Sequence, residues 1–296
     1  MDGRRSRGKK VKPTPFREKN GDVPFNASGV AQVGARRFVF IDNKDPTALF
    51  EMTFDANVET VERIHRRRLA GLAEGALRDP EGLTRVDVNG ETFLVVSSSL
   101  CRSGHGRADD GLVRVRYRPD GDLPAEAMDG FRAWLLAHEP TLAAAGLREP
   151  DAGGLNVEGL AWDPRASALL FGLRGPAGPG RVAVVQVPLD AGGARWTTAL
   201  LGSPTVVPAR LPRSTAAPGI RDISHDARTG GFVLLLGRST SHDDEPFQLG
   251  RWNGDGVQVL DIAFHRTAKP EGVTTFSIGD EQKLLVVDDT GGYAVL

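Results

Sequence analysis

Residues 156–176 read NVEGLAWDPRASALLFGLRGP. Glu158 and Gly159 open a short apolar run, Asp163-Pro164 marks a turn, and a second, more apolar run follows at Ala168–Leu173. That run stops at Arg174-Gly175-Pro176. Short apolar runs bounded by Gly, Pro and Asp are the signature of strands joined by tight turns.

The same pattern returns along the chain. Ala27-Ser28-Gly29-Val30 is followed by Arg37–Ile41 and then by Asp42-Asn43-Lys44. Pro80-Glu81-Gly82-Leu83 is followed by Thr92–Val96 and Ser97-Ser98-Ser99. Ile220-Arg221-Asp222-Ile223 leads to Phe232–Leu236 and Gly237-Arg238-Ser239. Pro270-Glu271-Gly272-Val273 leads to Lys283–Val287 and Asp288-Asp289. A third strand follows in each copy: Ala48–Phe54, Leu112–Tyr117, Val182–Val187, Gln248–Trp252 and the short Gly292–Leu296.

One meander cannot bury both its faces alone, so successive copies must pack on each other. The expected fold is all-β: a single β-propeller of five blades, with six as the alternative, over residues 25–296. The last copy is short of an outer strand, and a segment from the N-terminal region is expected to complete it. Residues 1–24 are polar, basic and proline-containing, and read as a disordered tail. Asp122–Gly146 reads as a helical insertion capping a rim, with Met128, Phe131, Leu135 and Leu142 near one face. Residues 202–219 read as an irregular loop, and 58–72 as a strand that also fits helical spacing loosely.

Composition narrows the classes. The 296 residues carry a formal net charge of −1, so no global field draws the chain to nucleic acid or anionic lipid. The single cysteine, Cys101, excludes an internal disulfide and a cysteine zinc site. It fits a reducing compartment, and the basic start is followed by no apolar stretch of a secretory signal, so a cytoplasmic location is expected. No apolar run is long enough to span a bilayer. There is no Gly-x-Ser-x-Gly elbow, His-Glu-x-x-His helix or phosphate-binding loop.

In a propeller the start of strand one and the end of strand two share one mouth of the channel. That places Ser28, Glu81, Glu158, Arg221 and Glu271 at equivalent positions, with Asp42, Asn43, Ser98, Arg174, Arg238, Asp288 and Asp289 beside them. Converging carboxylates repel, and something must offset that. Glu81, Glu158, Glu271 and Asp288 could hold a hard cation such as calcium. Alternatively the arginines pair with the acids, or each Glu accepts backbone N–H groups of its neighbour. Arg174, Arg221, Arg238, Asp42, Asn43 and Ser98 are the candidate ligand-binding residues, for a small polar ligand or a protein loop. His105, in Ser103-Gly104-His105-Gly106, is the candidate acid–base residue. His225 and His242 are weaker candidates, and Cys101 is expected to be inert.

The segments DPEGL (79–83), NVEGL (156–160), LFGLRGP (170–176) and GIRDI (219–223) together resemble the bacterial domain-of-unknown-function family 3616. That family is itself similar to esterase-like phytase propellers. The resemblance covers most of residues 25–296 and implies a propeller of unassigned activity. More distant propeller hydrolases hold a divalent cation with acids at strand starts, which here correspond to Glu81, Glu158 and Glu271. Arg221 departs from an all-acid ring. Two functions follow: a binding propeller with a Glu/Arg mouth, or a calcium-dependent hydrolase of phosphate or carboxylic esters.

Overall fold

In the computed structural model the described residues are 10–16, 25–103, 106–212, 217–242 and 244–296. They form antiparallel meanders in chain order. A two-residue strand, β1 (Thr14–Pro15), comes first and belongs with the last meander. The first meander is β2 (Ala27–Gly34), β3 (Arg37–Asp42), β4 (Ala48–Phe54) and β5 (Val61–Ala70). The second is β6 (Pro80–Val88), β7 (Glu91–Ser98), β8 (Leu112–Arg116) and β9 (Leu123–Ala127). The third is β10 (Asn156–Asp163), β11 (Ala168–Gly175), β12 (Arg181–Pro188) and β13 (Thr205–Arg210). The fourth is β14 (Gly219–Asp226), β15 (Gly231–Gly237), β16 (Gln248–Trp252) and β17 (Val257–Val259). The last is β18 (Pro270–Ile278), β19 (Glu281–Asp288) and β20 (Gly292–Val295).

The first strands touch in cyclic order: β2, β6, β10, β14, β18 and back to β2. This is a β-propeller-type ring. The outer strands β5 and β9 pair in parallel through Leu69 and Ala70, so the first two meanders share one eight-stranded sheet. That pairing removes two exposed edges at once.

The ring closes through the N-terminal segment. β1 pairs with β20, Thr14 opposite Tyr293, and supplies the strand the last meander lacks. Phe16 anchors it, buried and stacked on Phe40 at 5.3 Å and Tyr293 at 5.5 Å between ring centroids. The disordered-tail expectation is therefore corrected for residues 10–16, where an aromatic anchor and a strand edge outweigh the polar composition. Its remaining positions lie outside the described residues.

Three further expectations are refined. Residues 61–70 are a strand, since β4 offers them an edge along its full length. The insertion starts as strand β9, and helix begins only at α1 (Phe131–His138), followed by α2 (Pro140–Ala143). Phe131 stacks on Phe171 at 5.2 Å, and Phe131, Leu135 and Leu142 are buried against the second and third meanders, so the helices cap a rim. Residues 205–210 of the expected loop are the outer strand β13, paired along β12.

Candidate functional site at the strand-start mouth

Every first strand carries a register shift at its start. The shifts fall at Ser28/Val30, Pro80/Gly82, Val157/Gly159, Ile220/Asp222 and Pro270/Gly272. A bulge leaves one residue out of the ladder and re-aims its side chain. The residues left out are Gly29, Glu81, Glu158, Arg221 and Glu271. The charged repeat positions are thus the residues freed from strand pairing.

Glycine lets these strands converge. A Cβ on Gly82 would lie 2.6 Å from Leu160 Cβ, one on Gly159 2.9 Å from Ile223 N, and one on Gly272 3.0 Å from Gly29 N. The fourth meander has Asp222 at that position, and its carboxylate does what the glycines cannot. It is buried, and accepts from Val273 N at 2.6 Å and from its neighbour Ile223 N at 2.8 Å. Burial pushes its pKa well above the usual carboxylate range, against the pull of N–H donors from Val273, Ile223 and Leu160. Asp222 ties the first strands of three meanders together, and the sequence reading missed it. The signal was an Asp where three other copies have Gly: Gly82, Gly159 and Gly272.

Arg221 lies between two of the acids. Its Nε donates to Glu271 Oε2 at 2.7 Å, its Nη2 reaches Glu271 Oε1, and Nε stands 2.9 Å from Glu158 Oε2. Glu158 Oε1 accepts from Arg174 Nη1 at 2.8 Å and from Asn156 Nδ2 at 3.2 Å. Burial opposes the charge on Arg221, but Glu158 and Glu271 outweigh it and hold the guanidinium protonated. Burial also pushes Glu271 up to about 7, with Arg221 pulling the other way.

Glu81 is placed differently. Its Oε2 accepts from Ser28 Oγ at 2.8 Å, and among the described residues no ion pair reaches it. It is partly exposed. Burial, then the negative charges of Glu158, Asp79 and Glu271, push its pKa well above the usual range. At this corner of the mouth the surroundings favour the protonated carboxyl, and no arginine among the described residues pairs with it.

The other expected residues are not brought into the cluster as ligand groups. Asp42 is buried in its own turn, accepting from Lys44 N at 3.0 Å and Asn26 N at 3.3 Å. The backbone of Asn43 donates to Asn26 O in the same turn. Ser98 is fully buried, and its Oγ accepts from Leu100 N. Asp288 is fully buried and accepts from Lys269 N at 2.6 Å and from Thr290. Strand-end turns use these side chains to satisfy their own N–H groups. Arg238 points aside towards Asp244 at 3.7 Å, while its carbonyl accepts from Arg174 Nε at 3.2 Å. His105 lies outside the described residues. Cys101 is buried, and burial pushes its thiol up to about 12, which leaves it protonated.

A resident divalent cation does not fit the expected donors. Calcium needs several oxygens facing one point. Glu158 and Glu271 instead converge on a guanidinium, and Asp288 is spent on its turn. Among the described residues no group of three or more His, Cys, Asp or Glu side chains could hold a metal ion.

No protein-family model and no curated protein sequence matches the chain. Solved structures do. A GH43 β-1,3-galactosidase, solved with galactodeoxynojirimycin, matches with a TM-score of 0.52 at 10% identity over 96% of this chain and 93% of that one. Streptogramin B lyase matches with a TM-score of 0.39 at 10% identity, over 96% of each chain. A mutant Trypanosoma rangeli sialidase with trans-sialidase activity gives 0.42 at 11% identity, over 97% of this chain and 56% of that one. At such identities the likeness extends to the β-propeller-type fold alone. No helix among the described residues is long and apolar enough to cross a membrane. The chain has the fold of propeller proteins whose activities differ, and its own mouth chemistry has to carry the functional argument.

Proposed function

We propose that this protein is a binding propeller whose strand-start mouth takes a ligand presenting a protonated amine. The observation that supports this is Glu81: a partly exposed acid beside three other carboxylates, with Ser28 as its hydrogen-bond donor and no arginine partner among the described residues. Burial and, after it, repulsion from the neighbouring acids raise its pKa, and an ammonium at Glu81 would relieve that repulsion. Arg221 and Arg174 hold the floor of the mouth rigid and leave Glu81 as the open position. A site whose few charged groups are held in fixed positions suits recognition. The resemblance to the bacterial domain-of-unknown-function family 3616 is part of the same reading, since that family implies a propeller of unassigned activity.

Putrescine, with 1,4-butanediol as its neutral counterpart, tests the reading by calorimetry and thermal shift. Putrescine should bind and raise the melting temperature, the diol should not, and Glu81→Gln should weaken putrescine binding at least tenfold. Binding should also release a proton, seen as a dependence of the heat on buffer. Equal binding of the diol, or binding untouched by Glu81→Gln, would remove the proposal. So would a calcium shift larger than the putrescine shift and dependent on Glu158 and Glu271.

A further inference from the structure

The opposite end of the channel holds a second concavity. It has a volume of about 450 Å³ and is lined from all the first strands, among them Gln32, Arg85, Trp162, His225 and Thr275. Val30, Leu83, Leu160 and Ile223, all buried, give it apolar lining beside these groups. The volume lies in the range of small-molecule sites, roughly 300–1,000 Å³.

Side chains on this rim already serve the free edges of the first strands. Trp162 N donates to Thr84 Oγ1 at 2.9 Å, Thr275 Oγ1 to His225 O at 3.0 Å, and Arg85 Nη1 to Gln32 O at 3.3 Å. Each bond crosses from one meander to the next, so the wall is tied at three of the five junctions: first to second, second to third and fourth to fifth. Charge cancels within it. Arg85 Nε pairs with Asp87 at 2.8 Å. Burial holds the His225 imidazole below its usual pKa, which favours the neutral ring that can both donate and accept. The polar part of the wall is therefore neutral and rich in hydroxyl, amide and imidazole groups, beside apolar lining. Half-buried Trp162 adds an aromatic surface.

We propose that this cavity binds a neutral, hydroxyl-rich ring of the carbohydrate class. A sugar ring has an apolar C–H face for Trp162 and the apolar lining, and an edge of hydroxyls that both donate and accept. The groups of Gln32, Ser224, His225 and Thr275 match that edge. Arg85 and Asp87 pair with each other, so the wall presents no net charge to attract a charged ligand.

Saturation-transfer NMR of the full chain with glucose, galactose and maltose tests this, with gluconate as the charged control. Millimolar neutral sugar should receive transfer, and gluconate should not compete. Ala227 is an exposed lining residue in a turn, so Ala227→Phe should narrow the cavity without touching the core and reduce binding at least tenfold. Trp162→Ala should do the same, with its melting curve showing that the fold survives. Glu81→Gln should leave sugar binding unchanged, which separates this site from the amine site. Absence of transfer to folded wild type, unchanged transfer in Ala227→Phe, or equal competition by gluconate would each overturn the assignment.

Discussion

Arg221 and Glu271 form a two-point ion pair between adjacent first strands, with Nε to Oε2 at 2.7 Å and Nη2 on Oε1. Both residues are left out of their strand ladders by bulges at matching places. The pair therefore links two meanders directly at the axis, beside the bond from Val273 N to the Asp222 carboxylate. Glu158 is drawn into the same guanidinium from the other side.

Removing Arg221 alone should be severe. Arg221→Met strands Glu271 without a counter-charge and leaves Glu158 with Arg174 alone, and breaking a buried pair in this way costs about 3–5 kcal/mol. Urea denaturation measures it. The double variant Arg221→Met/Glu271→Leu should recover part of the loss, because the stranded charge goes with its partner. A single variant within 1 kcal/mol of wild type would mean that the ions contribute as weakly as an exposed pair.

Glu81 sets a pH dependence of definite sign. Its folded pKa is raised above the unfolded value near 4.5. The stability it contributes is fully present below that value and is lost as pH rises through the folded pKa. Wild type should therefore lose stability as pH rises from about 4.5. Glu81→Gln keeps an acceptor for Ser28 and cannot ionise, so its loss over the same range should be smaller. Melting temperatures of the two proteins from pH 4 to 8 check this; parallel curves would show that Glu81 titrates normally.

Gly159 tests the close approach at the axis. A Cβ there meets Ile223 N at 2.9 Å and the Asp222 backbone at 3.0 Å, and backbone cannot turn aside. Gly159→Ala should destabilise by about 1–3 kcal/mol, the usual range for overpacking. Gly256→Ala is the control, since nothing stands within 4 Å of its added methyl. Chemical denaturation compares the two, and equal midpoints would show that the ring can expand at no cost.

The N-terminal anchor is a separate element of stability. Phe16→Ala empties a site between Phe40 and Tyr293 and should cost about 3 kcal/mol, at the low end for a buried aromatic. Proteolysis should then cut first near residues 10–16 in the variant and not in wild type. Unchanged melting and cleavage would show that β1 is dispensable for closure.

The meander pattern was legible because it is local. Alternating or continuous apolar runs, and the Gly, Pro and Asp that end them, report strands and turns wherever they stand. Glu81, Glu158 and Glu271 were legible as equivalents because each precedes a glycine at the same point of its copy. Arg221 stood out as the exception, and the structure makes it the counter-ion. Outer strands were harder to read. Leu123–Ala127 and Thr205–Arg210 carry weak patterns, because half of each lies against solvent and their pairing is decided by the neighbouring strand.

The chain order of residues determined the strands, the repeat, and the placement of acids at strand starts. Only the closed ring decided which of those acids are neutralised: Glu158 and Glu271 meet arginine, while Glu81 meets Ser28 and more negative charge. It also decided that Asp222 would replace a glycine by bonding backbone of the next meander, and that Gln32, Trp162 and His225 would face one cavity. The reason is physical. Propensity and hydrophobic period act over a few residues, whereas charge compensation and cavity shape depend on side chains tens to hundreds of positions apart that meet only when the ring closes.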